Sequence, residues 1–285
     1  MKPANLEAIQ HSFTIQAANF ESKTVNFSKE EYLHYTISRV APEGQDSVLE
    51  VAAGTCACGR SFAPLVQSVV CLDATPAMLQ IGKQEAEKSH LNNMTFVKGY
   101  AEELPFLNDS FSIVFSRLAF HHFTDTDTVF SEMVRVLKPG GMLVMIDMEA
   151  ADEPLRKTED EIETLRDPSH VKNMSKNEML ELFAAHGLRI EQCETTEIQQ
   201  KLNNWLALTR TPEPIQQKIT ERMRSELAGE EKTGFSPYVE NGKICFDQKW
   251  LLLIGRKRIA KPAEPAGGQD ERASPTVDSP ARFRS

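Results

Sequence analysis

The residues best placed to bind a ligand follow short apolar segments in the first half of the chain. Glu50 and Gly54 lie at the end of the first segment, Asp73 ends the second, nineteen residues after Gly54, and Asp147 lies at the end of the fifth. A glycine turn that leads into a helix, followed by an acid about twenty residues later, is typical of a nucleoside site in which the acid binds the ribose hydroxyls. The spacing therefore predicts a nucleoside-containing ligand.

The first turn also indicates which nucleoside is bound. A dinucleotide lays its pyrophosphate against this turn, which requires a second glycine for close backbone approach and no anion nearby. The sequence has Cys56 where that glycine is needed, and Glu50 lies close by. A ligand with an ammonium and a sulfonium instead of phosphates suits this turn better, which describes S-adenosylmethionine. An NAD(P)-dependent oxidoreductase is the alternative enzyme class.

Two histidines, His121 and His122, follow the fourth apolar segment and are the candidates for a catalytic base. Methyl transfer mainly requires that the nucleophile and the sulfonium are held in line and that water is excluded. A base helps when the acceptor is a phenol, an enol-like carbon or an amine. The alternative interpretation is that both rings only line or cap the helix that begins near Thr124.

Two further residues are candidates for contact with the methyl acceptor. Arg117 has the chemistry to orient an acceptor carboxylate or hydroxyl, with pairing to Glu102 as the alternative. His170 is predicted to line the acceptor pocket or else to fix a turn.

The cysteines show neither metal-site nor disulfide spacing. No CxxC or CxH pattern joins Cys56, Cys58, Cys71, Cys193 and Cys245. We therefore expect reduced thiols, no metal site and a cytoplasmic location. Cys56 and Cys58 are interpreted as small buried loop residues.

The elements that must position these residues alternate between strand and helix. Strands are predicted over residues 47–52, 68–73, 94–99, 112–117 and 141–148. The spacing leaves room for crossover helices, which indicates a parallel sheet covered on both faces. One helix is predicted to begin after Thr75 at Pro76, and another to run from about Asp125 and stop at Lys138-Pro139-Gly140-Gly141.

The flanking regions have weaker patterns. Residues 1–46 are predicted to form a helical cap, with Ser28 as a helix N-cap. After the fifth strand we predict helices over 153–166 and 175–186, a strand over 188–198, helices within 199–228 and a strand over 245–256. The segment 199–240 is predicted to be a lid inserted in a domain spanning 47–258, and residues 259–285 to be a disordered tail.

Composition excludes several classes of function. The 285 residues are 40% apolar and 26% charged, with a net charge of −9. An acidic chain has no long-range attraction for nucleic acid or anionic lipid. No apolar run approaches the length needed to cross a bilayer, and the N-terminus lacks the pattern of a secretion signal. A small-molecule partner is therefore expected, without nucleic acid or membrane insertion.

Five motifs in order, LEVAAGTCACG, CLDATPAML, KGYAEELPF, FSRLAFHHF and RVLKPGGML, resemble those of class I methyltransferases. The resemblance covers about residues 45–150 and is closest to the family that includes ubiquinone and menaquinone C-methyltransferases. It implies a mostly parallel seven-stranded sheet with an antiparallel last strand. It also implies methyl transfer from S-adenosylmethionine to carbon or oxygen of a small organic acceptor, with a binding module that has lost turnover as the alternative.

The resemblance assigns roles around the cofactor. It implies that Gly54 and Thr55 lie along the methionine part, that Asp73 binds the ribose, and that Tyr100 and Ala101 flank the adenine. The full predicted cofactor site is Glu50, Gly54, Thr55, Cys56, Asp73, Ala74, Met78, Tyr100, Ala101, Glu102 and Ser116. The sequence departs from the family pattern in two places, with Cys56 for a usual glycine and Tyr100 for a usual Asp or Asn.

Overall fold

A single mixed sheet forms the centre of the computed structural model, which describes residues 2–17, 20–21 and 29–259. The strands in this part of the chain are β1 (Ser47–Val51), β2 (Ser68–Asp73), β3 (Met94–Lys98), β4 (Phe111–Arg117), β5 (Leu137–Met148), β6 (Leu188–Lys201), β7 (Tyr238–Glu240) and β8 (Lys243–Lys257). The helices are α1 (Leu6–Gln16), α2 (Glu30–Val40), α3 (Ala57–Phe62), α4 (Pro76–Lys88), α5 (Thr126–Val136), α6 (Glu153–Arg166), α7 (Lys176–Ala185), α8 (Leu202–Leu208) and α9 (Glu213–Leu227).

The strand order is β3-β2-β1-β4-β5-β8-β6, and the short β7 pairs with β8. Strands β1 to β5 pair in parallel, whereas β8 is antiparallel to both β5 and β6. This confirms the predicted mostly parallel sheet with an antiparallel last strand. The added β7 is an eighth strand that the sequence pattern did not indicate.

Alternating side chains of the strands pack against helices on opposite faces of the sheet. On β1, Leu49 belongs to a core that includes Phe130 of α5 and Phe183 of α7. The neighbouring Val48 belongs to a second core with Phe62 of α3 and residues of α2 and α4. Because successive strand side chains point to opposite faces, the apolar strands need a helical layer on each side.

Most predicted bounds agree with the structure, and three of them differ. The helix α5 ends at Val136, and the Lys138-Pro139-Gly140-Gly141 segment belongs to β5, where the register with β4 shifts. A bulge there accommodates a proline, which donates no ladder hydrogen bond. The strand β6 continues to Lys201 and therefore includes the start of the predicted helical lid. The predicted N-cap Ser28 lies outside the described residues, and α2 begins at Glu30.

The segment after β6 forms a satellite core of its own. Trp205 of α8 and Met223 of α9 pack with Ile162 of α6 and Phe246 of β8. Because α9 packs on α6, only the end of α8 at Leu208 reaches the cavity described below. The predicted tail lies almost wholly outside the described residues. Among the residues that are described, no helix has the length and apolar character needed to cross a membrane.

Candidate functional site

A cavity opens where the carboxyl ends of β1, β2, β4 and β5 meet, at the position where the strand order reverses between β1 and β4. An open parallel sheet binds its ligands at this position. Eleven of the predicted site residues line this cavity: Glu50, Gly54, Thr55, Asp73, Ala74, Tyr100, Ala101, Glu102, Arg117, His121 and His122. Their contact with a ligand stays a prediction, although the structure brings them to one place.

The turn after β1 is tied to the end of β2 by Asp73. The backbone N–H of Gly54 donates to Oδ2 of Asp73 at 2.8 Å, and the N–H of Thr75 donates to Oδ1 at 2.7 Å. Burial raises the pKa of Asp73 above its usual value. Gly54 has a φ of +55°, and a Cβ added there would meet no atom within 4 Å. The turn therefore leaves open space beside a carboxylate that has further lone pairs to accept hydrogen bonds.

Glu50 provides a second buried carboxyl group in the same wall. Its Oε2 accepts a hydrogen bond from the backbone N–H of Gly59 at 2.9 Å. Burial raises the pKa of Glu50 to about 7. A positively charged ligand placed beside this carboxyl group would favour its ionised form. The site is thus suited to a cation and unsuited to a pyrophosphate.

Three predicted cofactor residues lie behind the cavity wall. Cys56, Met78 and Ser116 are almost completely buried and do not line the cavity. Cys56 adopts a left-handed conformation with a φ of +58°, and its thiol lies against the backbone beside Gly82 of α4 instead of facing the ligand space. This placement agrees with the interpretation of Cys56 as a small buried loop residue.

His121 forms a short side-chain contact in the cavity wall. Its Nδ1 lies 2.6 Å from Oδ1 of Asp147, and both side chains are buried. Asp147 also accepts backbone hydrogen bonds from Ala119, Phe120 and Met148. Burial favours the neutral imidazole, but the charge and hydrogen bond of Asp147 outweigh it and raise the pKa of His121. Burial also opposes ionisation of Asp147, but His121 and the backbone donors lower its pKa.

His122 has a different environment although it is the next residue. Its Nδ1 lies 3.0 Å from the carbonyl oxygen of Ser169, and its ring packs edge-on against Phe13 of α1. Burial, followed by the charge of neighbouring His121, lowers the pKa of His122 to about 3. His122 therefore stays neutral at physiological pH, with one ring nitrogen occupied.

The two predicted acceptor residues have different positions. Arg117 lines the cavity, with its guanidinium 5.2 Å from the centre of the Trp250 ring. His170 does not line it, because its Nε2 lies 2.9 Å from Oδ1 of Asp160 on α6. The backbone N–H of His170 also closes a turn onto Asp167. Of the two interpretations of His170, the geometry favours the one in which it fixes a turn.

Several lining residues lack any sequence pattern that would have identified them. Ile9, Phe13 and Gln16 lie on α1, whereas Arg166 is the last residue of α6 and Asp167 comes directly after it. Gln16 donates to Oδ2 of Asp167 at 2.8 Å and so closes the cavity between these two elements. Asp147, the partner of His121, can be recognised in the sequence as an acid at the end of a strand. Its pairing with His121 cannot, because that pairing depends on how the strands are arranged in the sheet.

A glycine turn bound to an acid on the next strand, at the reversal point of this strand order, is the nucleoside-binding arrangement of an open parallel sheet. The family model described as methyltransferase domain matches residues 49–145. The chain is 30% identical over 234 residues to the uncharacterized methyltransferase YcgJ of Bacillus subtilis, covering 81% of this chain and 92% of YcgJ. The chain belongs to this methyltransferase family and is a class I S-adenosylmethionine-dependent methyltransferase.

Two other comparisons extend this result. The crystal structure of YcgJ superposes on this chain with a TM-score of 0.73 at 28% sequence identity. The superposition covers 81% of this chain and 100% of the YcgJ chain. The chain is also 34% identical over 125 residues to the ubiquinone/menaquinone biosynthesis C-methyltransferase UbiE of Hahella chejuensis. That match covers 42% of this chain and 50% of UbiE, so the chain spans about half the length of that relative.

Proposed function

We propose that this methyltransferase transfers the methyl group to carbon or oxygen of a small organic acceptor, with His121 as general base. The observation that carries the proposal is that one cavity is lined both by the Gly54–Asp73 turn and by His121, whose Nδ1 is bonded to the buried Asp147 behind the wall. The acceptor is expected to be a small molecule and not a nucleic acid, since the chain has a net charge of −9. A cytoplasmic location stays a prediction.

The residues around the turn fit the cofactor. S-adenosylmethionine, when bound, supplies a methyl group on a positively charged sulfur. Gly54 and Thr55 would hold its methionine part beside Glu50, and Asp73 would accept hydrogen bonds from the ribose hydroxyls. Open space at Gly54 and the buried carboxyl group of Glu50 in the lining suit this assignment better than a dinucleotide. Ala74, Tyr100, Ala101 and Glu102 would surround the adenine.

The proton of the acceptor has a defined destination. Because Nδ1 of His121 is bonded to Asp147, that nitrogen carries the hydrogen and Nε2 retains a lone pair. Within the described residues Nε2 has no hydrogen-bond partner. On methylation the electron pair of the broken sulfur–methyl bond would stay on the cofactor sulfur, and the proton lost by the acceptor oxygen or carbon would pass to Nε2 of His121. Asp147 then stabilises the imidazolium ring that results.

The cavity wall keeps water from the reaction. Ile9, Phe13, Phe123 and Leu208 present apolar surface to the cavity. An apolar chamber closed by α1 orients an acceptor and raises the strength of every charge interaction within it.

Calorimetry with the purified full chain tests the proposal. We expect S-adenosylmethionine and its demethylated product, S-adenosylhomocysteine, to bind, and Asp73→Asn to weaken both by about 1–3 kcal/mol, the scale of a lost buried hydrogen bond. Asp109→Asn, an exposed acid, is the control. Failure of the native chain to bind either compound contradicts the proposal. Binding without methyl transfer to any compound of a broad acceptor library favours a binding module instead.

A further inference from the structure

Three metal-ligating side chains meet behind the cofactor turn. Glu50 of β1 is in register with Cys71 of β2, and Cys56 reaches the same point from the turn after β1. The Sγ of Cys71 lies 3.4 Å from Oε2 of Glu50, and the Sγ of Cys56 lies 3.6 Å from the carbonyl oxygen of Gly54. One ligand atom from each residue lies within 4.8 Å of the other two, and all three residues are buried.

These distances suit a tetrahedral metal ion. With zinc–sulfur and zinc–oxygen bonds of about 2.3 and 2.0 Å, sulfur and oxygen ligands of one ion lie about 3.5 Å apart. The observed separation of 3.4 Å between Cys71 and Glu50 is close to this value. Two thiols and one carboxylate are also a donor set that prefers zinc to hard cations such as magnesium.

The backbone at Cys56 adopts a left-handed conformation. A non-glycine residue in the left-handed region costs about 1–2 kcal/mol, and Cys56 has a φ of +58°. Space for both sulfurs is provided by glycines. A Cβ at Gly82 would lie 2.8 Å from Sγ of Cys56, and one at Gly59 would lie 2.7 Å from Sγ of Cys71. A strained residue kept in place by its surroundings is a reason to seek a function for it.

We propose that Glu50, Cys56 and Cys71 form a binding site for a single thiophilic d¹⁰ metal ion, with zinc as the physiological example. The ion is held by two thiolates and one carboxylate oxygen, and the two thiol protons are released as it binds. Three protein ligands leave the fourth tetrahedral position open.

Metal binding at this site is expected to affect cofactor binding, an expectation that rests on the proposed function. Glu50 lines the cofactor cavity as well as the thiol cluster. The divalent ion draws electron density from the carboxylate of Glu50, while the two thiolates balance the charge of the ion, so Glu50 attracts the sulfonium and ammonium groups proposed to lie beside it less strongly. The ion and S-adenosylmethionine are therefore expected to compete, so that zinc inhibits the enzyme.

Titration of the reduced, metal-free full chain with Cd²⁺ tests the site, because cadmium–thiolate bonds give an ultraviolet charge-transfer band. We expect one Cd²⁺ per chain in the native protein and in the control Cys193→Ser, whose thiol lies on β6 away from the cluster. Cys56→Gly and Cys71→Ser should each weaken Cd²⁺ binding more than about tenfold. Loss of a group that only supports a metal ligand already costs about tenfold or more in affinity, so loss of a ligand itself should cost more. Glycine suits the left-handed backbone at position 56, so the first variant retains the fold.

A native chain without the band overturns the site, as does a band that survives in both Cys56→Gly and Cys71→Ser. Either result would leave the thiols as packing residues. Calorimetry of S-adenosylhomocysteine with and without equimolar Zn²⁺ tests the competition, for which we expect at least tenfold weaker binding. Unchanged affinity overturns the competition alone. If S-adenosylhomocysteine fails to bind even without metal, the proposed function fails, and the cadmium band still decides the metal site.

Discussion

Adjacent histidines in one turn have opposite acid–base behaviour because their hydrogen-bond partners differ. His121 lies against the ionised carboxylate of Asp147, whereas His122 lies against a backbone carbonyl and the Phe13 ring. A carboxylate stabilises the protonated ring, while burial without a charge partner excludes it. Only His121 is thus equipped both to take a proton and to hold it.

The first residue-scale prediction concerns His121 as a base. We expect His121→Gln to reduce the rate of methyl transfer by about 10²–10⁴-fold, the usual contribution of general base catalysis, without weakening S-adenosylhomocysteine binding. Transfer of a labelled methyl group from S-adenosylmethionine into a small-molecule extract provides the rate. His34→Gln, an exposed histidine on α2, is the control. An equal loss of rate and of cofactor affinity would contradict the assignment.

The pH profile separates positioning by Asp147 from a structural effect. A base must be neutral to act, so activity rises with pH as His121 loses its proton. Because Asp147 raises the pKa of His121, Asp147→Asn is expected to move this rise to lower pH while lowering the maximal rate. A lower rate with the rise at the same pH would mean that Asp147 only supports the backbone of the turn.

A further residue-scale prediction concerns stability at acid pH. The pKa of His122 is about 3 in the folded chain and about 6.5 in an unfolded one. Between these values the unfolded chain binds a proton that the folded chain does not, so the free energy of unfolding falls as pH falls below 6.5. The slope approaches about 1.4 kcal/mol per pH unit. The His121 contribution has the opposite sign and is lost above pH 6.5 instead, because the pKa of His121 is raised on folding.

Denaturant unfolding of the native chain and His122→Gln between pH 4 and 7 measures this effect. The variant has no group to protonate at this position, so its stability is expected to fall less steeply than that of the native chain below about pH 6.5. Parallel curves for the two proteins would show that His122 is not held neutral by the fold.

At the scale of elements, α1 is the part of the site that connects the two ends of the cavity. Asn5, just before the helix, donates to the carbonyl of His122 at 2.9 Å, and Gln10 donates to the carbonyl of Ala74 at 2.9 Å. Gln16 donates to Asp167 at the far side. The helix therefore contacts the region proposed for the adenine and the region proposed for the acceptor at the same time.

We predict that Gln10→Ala speeds the release of S-adenosylhomocysteine by about 2- to 10-fold. The basis is the loss of one hydrogen bond, worth about 0.5–1.5 kcal/mol, that holds α1 over Ala74. Stopped-flow displacement of the bound product measures the rate. Thr14→Ala on the exposed side of α1 is the matched control and should leave it unchanged. Equal rates in Gln10→Ala and the native chain would mean that α1 does not cover the cofactor.

The sheet elements could be predicted from sequence because their signals are local. Apolar runs bounded by turn residues gave β2 at its observed bounds, and Pro76 marked the start of α4. The predicted end of α5 was wrong. Leu137 adopts an extended conformation because it pairs with Phe111 of β4, and no local sequence pattern indicates this pairing. The short β7 likewise exists only through its pairing with β8.

At the scale of the whole molecule, the site was predictable where it follows strand ends and unpredictable where distant elements meet. Asp73 and Gly54 follow from the order of strands and turns. The His121–Asp147 pair joins residues 26 apart, and the Gln16–Asp167 contact joins residues 151 apart. The spacing of Cys56 and Cys58 likewise matches no metal-site pattern, whereas strand pairing places Cys71 beside Glu50 and the turn after β1 brings Cys56 to both.

The last prediction uses the stability of the whole chain to distinguish the two cofactor classes. A ligand that binds only the folded state at 100 times its Kd stabilises it by about 2.7 kcal/mol, which for a chain of this size corresponds to a rise in Tm of roughly 4–5 °C. We expect this rise with S-adenosylhomocysteine and none with NADH, since buried Glu50 disfavours a pyrophosphate at the Gly54 turn. Scanning calorimetry of the native chain with each ligand measures both, and Asp73→Asn should show a smaller rise at the same S-adenosylhomocysteine concentration. A rise in Tm with NADH alone would contradict the electrostatic argument for the turn and would favour an NAD(P)-dependent oxidoreductase instead.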